Sequence, residues 1–221
     1  MIETGDVPLN VVLALDTSAS VEGKRYADLV VATHALLDGL SPVDRAGLIS
    51  FDHAVRPTVA LTSDVSAVRR RLDTIRPAGL TSVMDGVHVA LTATLAQPGR
   101  SLVLVCTDGE DVSSWLTADD VLESAARSNA VVYVVSAGRR PVRALEQLTG
   151  ATGGDLLRVD STDGLRSAFE RILRSFRSRY VLAYTPSGVP IGGRHRLDVR
   201  VKRRGLSVKA RPGYIGVEPG Q

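Results

Sequence analysis

Three apolar segments of strand length limit what this chain can fold into more strongly than any other feature of its sequence. Residues 9–15, 101–106 and 130–135 are almost continuously apolar, rather than alternating between apolar and polar positions. Strands with this pattern are buried on both faces, as in parallel sheets that helices cover. Segments with apolar residues three and four positions apart, at 24–40 and 82–96, alternate with them. We therefore predict a three-layer α/β fold, with a doubly wound, Rossmann-like, mostly parallel sheet.

One edge of this sheet is expected to be antiparallel. Residues 45–51 and 54–61 both have strand character, and only Asp52 and His53 separate them. A connection this short favours a hairpin, because a parallel crossover needs a dozen or more residues.

Three further helices are predicted, at 65–75, 117–127 and 163–179. Thr117 is expected to be the N-cap of the second, because its hydroxyl can accept a hydrogen bond from the first turn. Residues 151–154 lack the Gly-Lys-Ser ending of a phosphate-binding loop and are predicted to form a turn.

The last part of the chain has a different character. Three strand-like segments follow one another there, at 180–184, 195–201 and 206–210. Arg204-Gly205 lies between the last two and is typical of a hairpin turn. We expect residues 1–179 to form the α/β domain, and residues 180–221 to form an antiparallel β extension packed on it.

Composition excludes several classes of protein. Of the 221 residues only Cys106 is a cysteine, which excludes an intramolecular disulfide and a cysteine-based zinc site. No run of about 18 apolar residues is present, so a membrane-spanning helix is not expected. The first ten residues are acidic and polar, unlike a signal peptide. An extracytoplasmic location (secreted or periplasmic) is favoured if Met1 replaces the leader of an exported precursor, and a cytoplasmic one otherwise.

The net charge of +3 conceals an asymmetry between the two parts of the chain. Residues 1–165 contain seven more acidic than basic residues, whereas residues 166–211 contain eleven more basic than acidic residues. The helix predicted at 163–179 carries arginines beside its apolar stripe, namely Arg166, Arg171, Arg174, Arg177 and Arg179. We expect a solvated arginine face, with contact to an anionic surface as the alternative. Binding to nucleic acid is not expected, because aromatic residues for base stacking make up only 4% of the chain.

Polar side chains follow two of the buried strands, at the points where ligands gather in open α/β sheets. Asp16, Ser18 and Ser20 come directly after the first strand, and Asp108 comes after the second. Thr81 begins a predicted helix between them. Alternate residues of an extended turn face the same side, so the first three side chains can converge on one point.

Oxygen ligands with few formal charges suit a hard cation such as Mg²⁺, with Mn²⁺ or Ca²⁺ as alternatives. Two carboxylates and three hydroxyls leave room for one open coordination position. We expect that position to accept an acidic side chain from a protein partner.

These motifs resemble those of a known family, the von Willebrand factor type A (VWA) domain. Asp-x-Ser-x-Ser after an apolar strand, a threonine at a helix start, and Thr-Asp-Gly-x-Asp after a later strand are similar to its metal-ion-dependent adhesion site. The order and spacing match over residues 7–150, with Leu80 in place of a family glycine. The resemblance implies an intact site in which hydroxyls of Ser18, Ser20 and Thr81 bind the metal, Asp16 and Asp108 hold it directly or through water, and Asp85 lies behind them.

The end of the chain adds a second resemblance. Asp6-Val7-Pro8 and the segments at 180–184, 198–201 and 208–214 are similar to a bacterial, acidobacterial-type VWA-related subfamily, whose members are commonly exported.

The function implied is that of a non-enzymatic adhesion or interaction module, here expected to be monomeric. Its bound cation would coordinate a Glu or Asp side chain of a protein partner. The alternative is a scaffolding domain that acts through its basic C-terminal face, with the metal only structural.

Enzymatic alternatives fit the sequence less well. Asp16-Thr17-Ser18 is similar to the Asp-Thr-Gly of aspartic proteases, but those enzymes need two such loops in an all-β fold. A phosphotransferase with an aspartyl nucleophile would need a second acid where Ser18 stands. Cys106 ends a buried strand and is expected to be a core residue. Trp115 is expected either to anchor a partner beside the metal or to pack against its own loop.

Overall fold

The computed structural model describes residues 7–95, 97–108, 111–137, 143–182, 188, 192–202, 205 and 208–216. Within these ranges the strands are β1 (Leu9–Asp16), β2 (Arg45–Phe51), β3 (Val55–Thr62), β4 (Arg100–Thr107), β5 (Val131–Ser136), β6 (Leu156–Arg158), β7 (Arg194–Arg196) and β8 (Gly213–Ile215). The α-helices are α1 (Lys24–Asp38), α2 (Val65–Leu72), α3 (Val83–Thr92), α4 (Ala118–Arg127), α5 (Arg143–Thr152) and α6 (Leu165–Arg177).

A six-stranded sheet in the order β3-β2-β1-β4-β5-β6 forms the middle layer. Neighbouring strands are parallel, except that β2 and β3 pair antiparallel at one edge. The mostly parallel sheet and its antiparallel edge are therefore confirmed.

The two faces of the sheet bury separate apolar clusters, because successive residues of a strand point to opposite sides. Leu13 of β1 lies in a cluster with Leu36 of α1 and Phe169 of α6. Its neighbour Val12 lies in the other cluster, with Val87 of α3. Helices on both faces make the three layers that the apolar runs predict.

Most helix positions agree with the sequence pattern, but most of the helices end earlier than predicted. α2, α3 and α6 are each shorter than the segments predicted for them. α4 begins as expected. The Thr117 hydroxyl accepts a hydrogen bond from the amide of Asp120 (3.3 Å), and the Asp120 carboxylate accepts one from the amide of Thr117 (2.8 Å).

The pattern misses α5 and β6, and the turn predicted at 151–154 begins two residues too early. Ala151 and Thr152, the first two residues of the predicted turn, are the last residues of α5, and the chain turns only at Gly153 and Gly154. Leu145 and Leu148 are buried on α5, but threonines and a glycine lower its helix propensity and hide it.

The C-terminal antiparallel β extension exists, but only the start of the predicted strand at 195–201 contributes to it, and its second strand lies at 213–215. β7 and β8 make a separate antiparallel sheet in which His195 pairs with Tyr214. The described residues of the predicted strands at 180–184 and 206–210 are not strand, and neither are residues 197–201; Ala183, Tyr184, Arg204, Leu206 and Ser207 lie outside the described residues. Val199 and Val201 are 36% and 47% exposed, so their alternation has no buried face to stabilise a strand.

Asp44, directly before β2, joins three segments of the chain at the amino-terminal ends of the parallel strands. Its carboxylate accepts hydrogen bonds from the amides of Leu9 (2.9 Å) and Ser41 (2.8 Å) and from the guanidinium of Arg177 (2.8 Å). Burial raises the pKa of the Asp44 carboxyl, but these hydrogen bonds outweigh burial and leave the pKa below its ordinary value.

We expect Asp44→Asn to lower the free energy of unfolding at pH 7 by about 1–3 kcal/mol, because it weakens three hydrogen bonds to a buried charge. A lowered folded-state pKa stabilises the fold above the unfolded-state pKa of about 3.9. That advantage is lost as the pH falls through the folded-state value. Urea unfolding across this pH range checks both points.

Asp38→Asn is the matched control, because Asp38 is 72% exposed in its pair with Arg69 and should contribute no more than about 1 kcal/mol. A stability difference for Asp44→Asn that does not shrink in acid would contradict the assignment.

Candidate functional site

The candidate site lies at the carboxyl ends of β1 and β4, which are adjacent and parallel. The register pairs Leu15 with Cys106, so Asp16 and Thr107 end the two strands side by side. The Thr107 hydroxyl donates a hydrogen bond to Asp16 Oδ2 (2.6 Å). The two strand ends are thereby joined through a buried carboxylate.

Four of the five predicted ligands form one continuous hydrogen-bonded network. The amide of Ser18 donates to Asp16 Oδ1 (2.9 Å), and the hydroxyls of Ser18 and Ser20 are hydrogen bonded to each other (3.0 Å). The Ser20 hydroxyl donates to Asp108 Oδ1 (2.7 Å). The structure thus brings both carboxylates and two of the hydroxyls to one place.

Thr81, the fifth predicted ligand, arrives on a separate loop. The amide of Ala19 donates to the carbonyl of Gly79 (3.0 Å), and the amide of Ala78 donates to the carbonyl of Thr17 (2.8 Å). These backbone hydrogen bonds hold the loop that carries Thr81 against the loop that follows β1, at the carboxyl ends of the strands. Thr81 itself is buried.

Asp16 carries a charge that its surroundings compensate only in part. Burial raises its pKa, and the nearby Asp108 carboxylate raises it further, against the hydrogen bonds from Ser18 and Thr107 that lower it. A cation placed among these oxygens would offset both carboxylates. The donor set, made of oxygens alone, fits a hard divalent cation in this respect.

Arg25, in the first turn of α1, also reaches the site, and the sequence motifs do not reveal it. Its Nη1 donates to Asp108 Oδ2 (2.6 Å) and to the carbonyl of Ser20 (3.0 Å). A basic residue one turn after the Asp-x-Ser-x-Ser loop is the only sequence signal that could have pointed to this contact.

Asp85 and Asp111 position the loop between β4 and α4. Asp85 accepts hydrogen bonds from the amides of Trp115 (3.0 Å) and Leu116 (2.9 Å). Asp111 Oδ1 accepts from the amide of Val83 (3.0 Å). Both carboxylates therefore act on the backbone around the site; Gly109 and Glu110 of the same loop lie outside the described residues.

Three exposed apolar side chains lie on the loops beside the network. Trp115 is 94% exposed, and Leu80 and Val112 are each 59% exposed. The amide of Val112 donates to the carbonyl of Thr81 (3.0 Å), which brings the two loops together. The alternative in which Trp115 packs against its own loop is wrong. We call Leu80, Val112 and Trp115 the apolar rim.

Other candidate groups are engaged elsewhere. Arg177 pairs with Asp44, and Arg179 donates to the hydroxyl of Tyr133 (2.8 Å), so part of the predicted arginine face is internal. Cys106 is buried, as expected, and burial raises the pKa of its thiol.

Two features are absent from the described part of the chain. Among the described residues, no three His, Cys, Asp or Glu side chains group as metal ligands. A cation at the candidate site would therefore need the hydroxyls. None of the helices in the described ranges is both long and apolar enough to cross a membrane.

Comparison with known proteins points to one family. Residues 11–110 match the family model of the von Willebrand factor type A domain. Human calcium-activated chloride channel regulator 4 is 30% identical over 172 residues, which make up 72% of this chain and 18% of that protein. An uncharacterized protein from Synechocystis, sll0103, is 28% identical over 109 residues, which make up 48% of this chain and 26% of that protein. The chain thus spans about a quarter or less of these relatives.

Solved structures agree on the fold. The von Willebrand factor type A structure from Catenulispora acidiphila gives a TM-score of 0.69 at 16% identity, covering 79% of this chain and 44% of that one. The vWF domain of the type V pili tip protein Mfa5 from Porphyromonas gingivalis gives 0.62 at 13% identity, covering 80% and 98%. Together with the family model, these structures support a VWA domain in this chain. The intact adhesion site and the acidobacterial-type subfamily stay predictions.

We expect Asp85→Ala to loosen the 111–117 loop without unfolding the domain, because two backbone amides lose their acceptor. Hydrogen exchange at Trp115 and Leu116 should accelerate about tenfold or more, because each amide loses a hydrogen bond to a charged acceptor. Asp119→Ala, at an exposed position in the first turn of α4, is the control and should leave both rates unchanged. Unaltered exchange in Asp85→Ala would show that other contacts hold the loop.

Proposed function

We propose that this chain, which has the fold of a von Willebrand factor type A domain, is a metal-dependent protein-binding module. VWA domains typically mediate protein interaction or adhesion. In the proposal a divalent cation, Mg²⁺ first, is held by Asp16, Ser18, Ser20, Thr81 and Asp108. An acidic side chain of a protein partner binds at the cation's open position.

The observation that carries the proposal is the hydrogen-bonded network from Asp16 through Ser18 and Ser20 to Asp108. These four residues lie at or just after the ends of two strands, β1 and β4, and hydrogen bonds already join each of them to the next. Little rearrangement would be needed to direct them at a cation. When bound, the cation would supply positive charge at the carboxyl ends of β1 and β4. Without it, the carboxylates of the protein there would repel an acidic partner.

The residues of the site have different roles in this proposal. Asp16 is buried and fixed by Thr107, so its carboxylate is held in one orientation. Ser20 is exposed and lies toward solvent, where a ligand can arrive. Asp85 and Asp111 keep the neighbouring loop in place.

The apolar rim would add apolar contact area that a single contact between a carboxylate and a cation does not provide. Tryptophan is among the most frequent anchors of protein interfaces, and the side chains around an anchor exclude water from it. Trp115, Leu80 and Val112 are exposed around the candidate site. The partner expected is therefore a protein surface in which an acidic side chain stands among apolar ones.

The alternative, binding through the basic C-terminal face, receives less support from the structure. Arg177, Arg179 and Arg211 are directed at oxygens of the protein itself. Arg171 and Arg174 remain exposed. A module of that kind would bind with a steep salt dependence and would not respond to a chelator.

The first test is a calorimetric titration of Mg²⁺ into chelator-stripped protein. We expect saturable binding at one site, weakened at least about tenfold in Asp108→Asn, because the substitution removes a ligand charge but keeps the side-chain shape. Asp163→Asn is the control, since Asp163 is 75% exposed and pairs with Lys24 outside the site. Equal affinity in wild type and Asp108→Asn would refute the site.

The second test concerns the partner. Peptides selected from a displayed library in the presence of Mg²⁺ should lose binding in EDTA, and also when their Glu or Asp is changed to Gln or Asn. They should bind Trp115→Ala more weakly, by about tenfold or more if Trp115 is an interface anchor. Selected peptides that bind equally in EDTA, and weaken only with salt, would favour the basic face instead.

A further inference from the structure

We propose that Arg25 competes with the divalent cation for Asp108, so that the site alternates between an arginine-bound and a cation-bound state. The inference rests on the proposed function, because it concerns the affinity of the same site. It depends on the contacts that Arg25, which is not one of the five predicted ligands, makes with Asp108 and Ser20.

Both oxygens of Asp108 are engaged in the structure. Oδ1 accepts from the Ser20 hydroxyl (2.7 Å) and Oδ2 accepts from Arg25 Nη1 (2.6 Å). The Asp108 side chain is only 5% exposed, whereas that of Arg25 is 56% exposed. Arg25 therefore covers Asp108 from the solvent side, and a cation that binds Asp108 Oδ2 must displace the guanidinium.

The guanidinium is also placed where its charge opposes a metal ion. Nη1 bonds the carbonyl of Ser20, the residue whose hydroxyl is a predicted ligand. A divalent cation bound by Ser20 and Asp108 would lie close to this group, and positive charges that are close together repel each other. Release of Arg25 into solvent removes that repulsion, and its long side chain permits the movement.

Lys24, the preceding residue, offers a matched comparison. Its ammonium is held by Asp28 (2.7 Å) and Asp163 (2.8 Å), away from Asp108. It carries the same charge on the same helix turn, but it makes none of the contacts from which the competition is inferred.

The test is a calorimetric titration of Mg²⁺ into chelator-stripped wild type, Arg25→Met and Lys24→Met. Methionine keeps an unbranched side chain and good helix propensity while it removes the charge. We expect Arg25→Met to bind Mg²⁺ about tenfold more tightly than wild type, the factor that corresponds to one charged hydrogen bond no longer broken. Lys24→Met should stay within about threefold of wild type. Far-UV circular dichroism checks that each variant is folded.

The outcomes separate the two proposals. Binding by wild type that Arg25→Met leaves unchanged or weakens overturns the competition and leaves the metal site standing. An equal gain in Lys24→Met also overturns it, because the effect would then be one of net charge. Binding by Arg25→Met alone would support the competition. Absence of binding in all three proteins would overturn both proposals.

Discussion

The parallel pairing of β1 with β4 is the constraint on which the candidate site depends. It brings Asp16 and Thr107 side by side, and their hydrogen bond fixes a buried carboxylate at the carboxyl ends of the two strands. Everything else at the site is arranged around this buried charge. Ser18 and Ser20 lead from it to Asp108, and the Thr81 loop is held against the same turn.

The electrostatics of the site follow from that arrangement. The Asp108 carboxylate lies close enough to Asp16 for its charge to raise the pKa of Asp16. Among the described residues, Arg25 is the cation that contacts the network. A protein that needs to hold such charge together can use its own guanidinium or a metal ion from solution. The exposed apolar rim beside the same strand ends supports the proposed binding of a protein partner.

The apolar pattern of the sequence predicts the central sheet well, because strands buried on both faces have few alternatives. It fails where stability comes from elsewhere. α5 is masked by threonines and a glycine, and β7 pairs with β8 although both are only three residues long. The proposed ligands can be named from motifs, since four of the five lie at or just after the ends of β1 and β4. The Arg25 contact with Asp108 joins residues 83 positions apart, and no local pattern encodes it.

The most direct test of the central claim is to locate a paramagnetic ion by nuclear magnetic resonance. Substoichiometric Mn²⁺ should broaden the backbone amide signals of residues 17–20, 79–82 and 107–108, and excess Mg²⁺ should restore them. Signals from β7 and β8 should stay sharp. Broadening centred instead on an exposed acidic cluster, such as Asp119 and Asp120, or spread evenly over the surface, would contradict a cation site at the ends of β1 and β4.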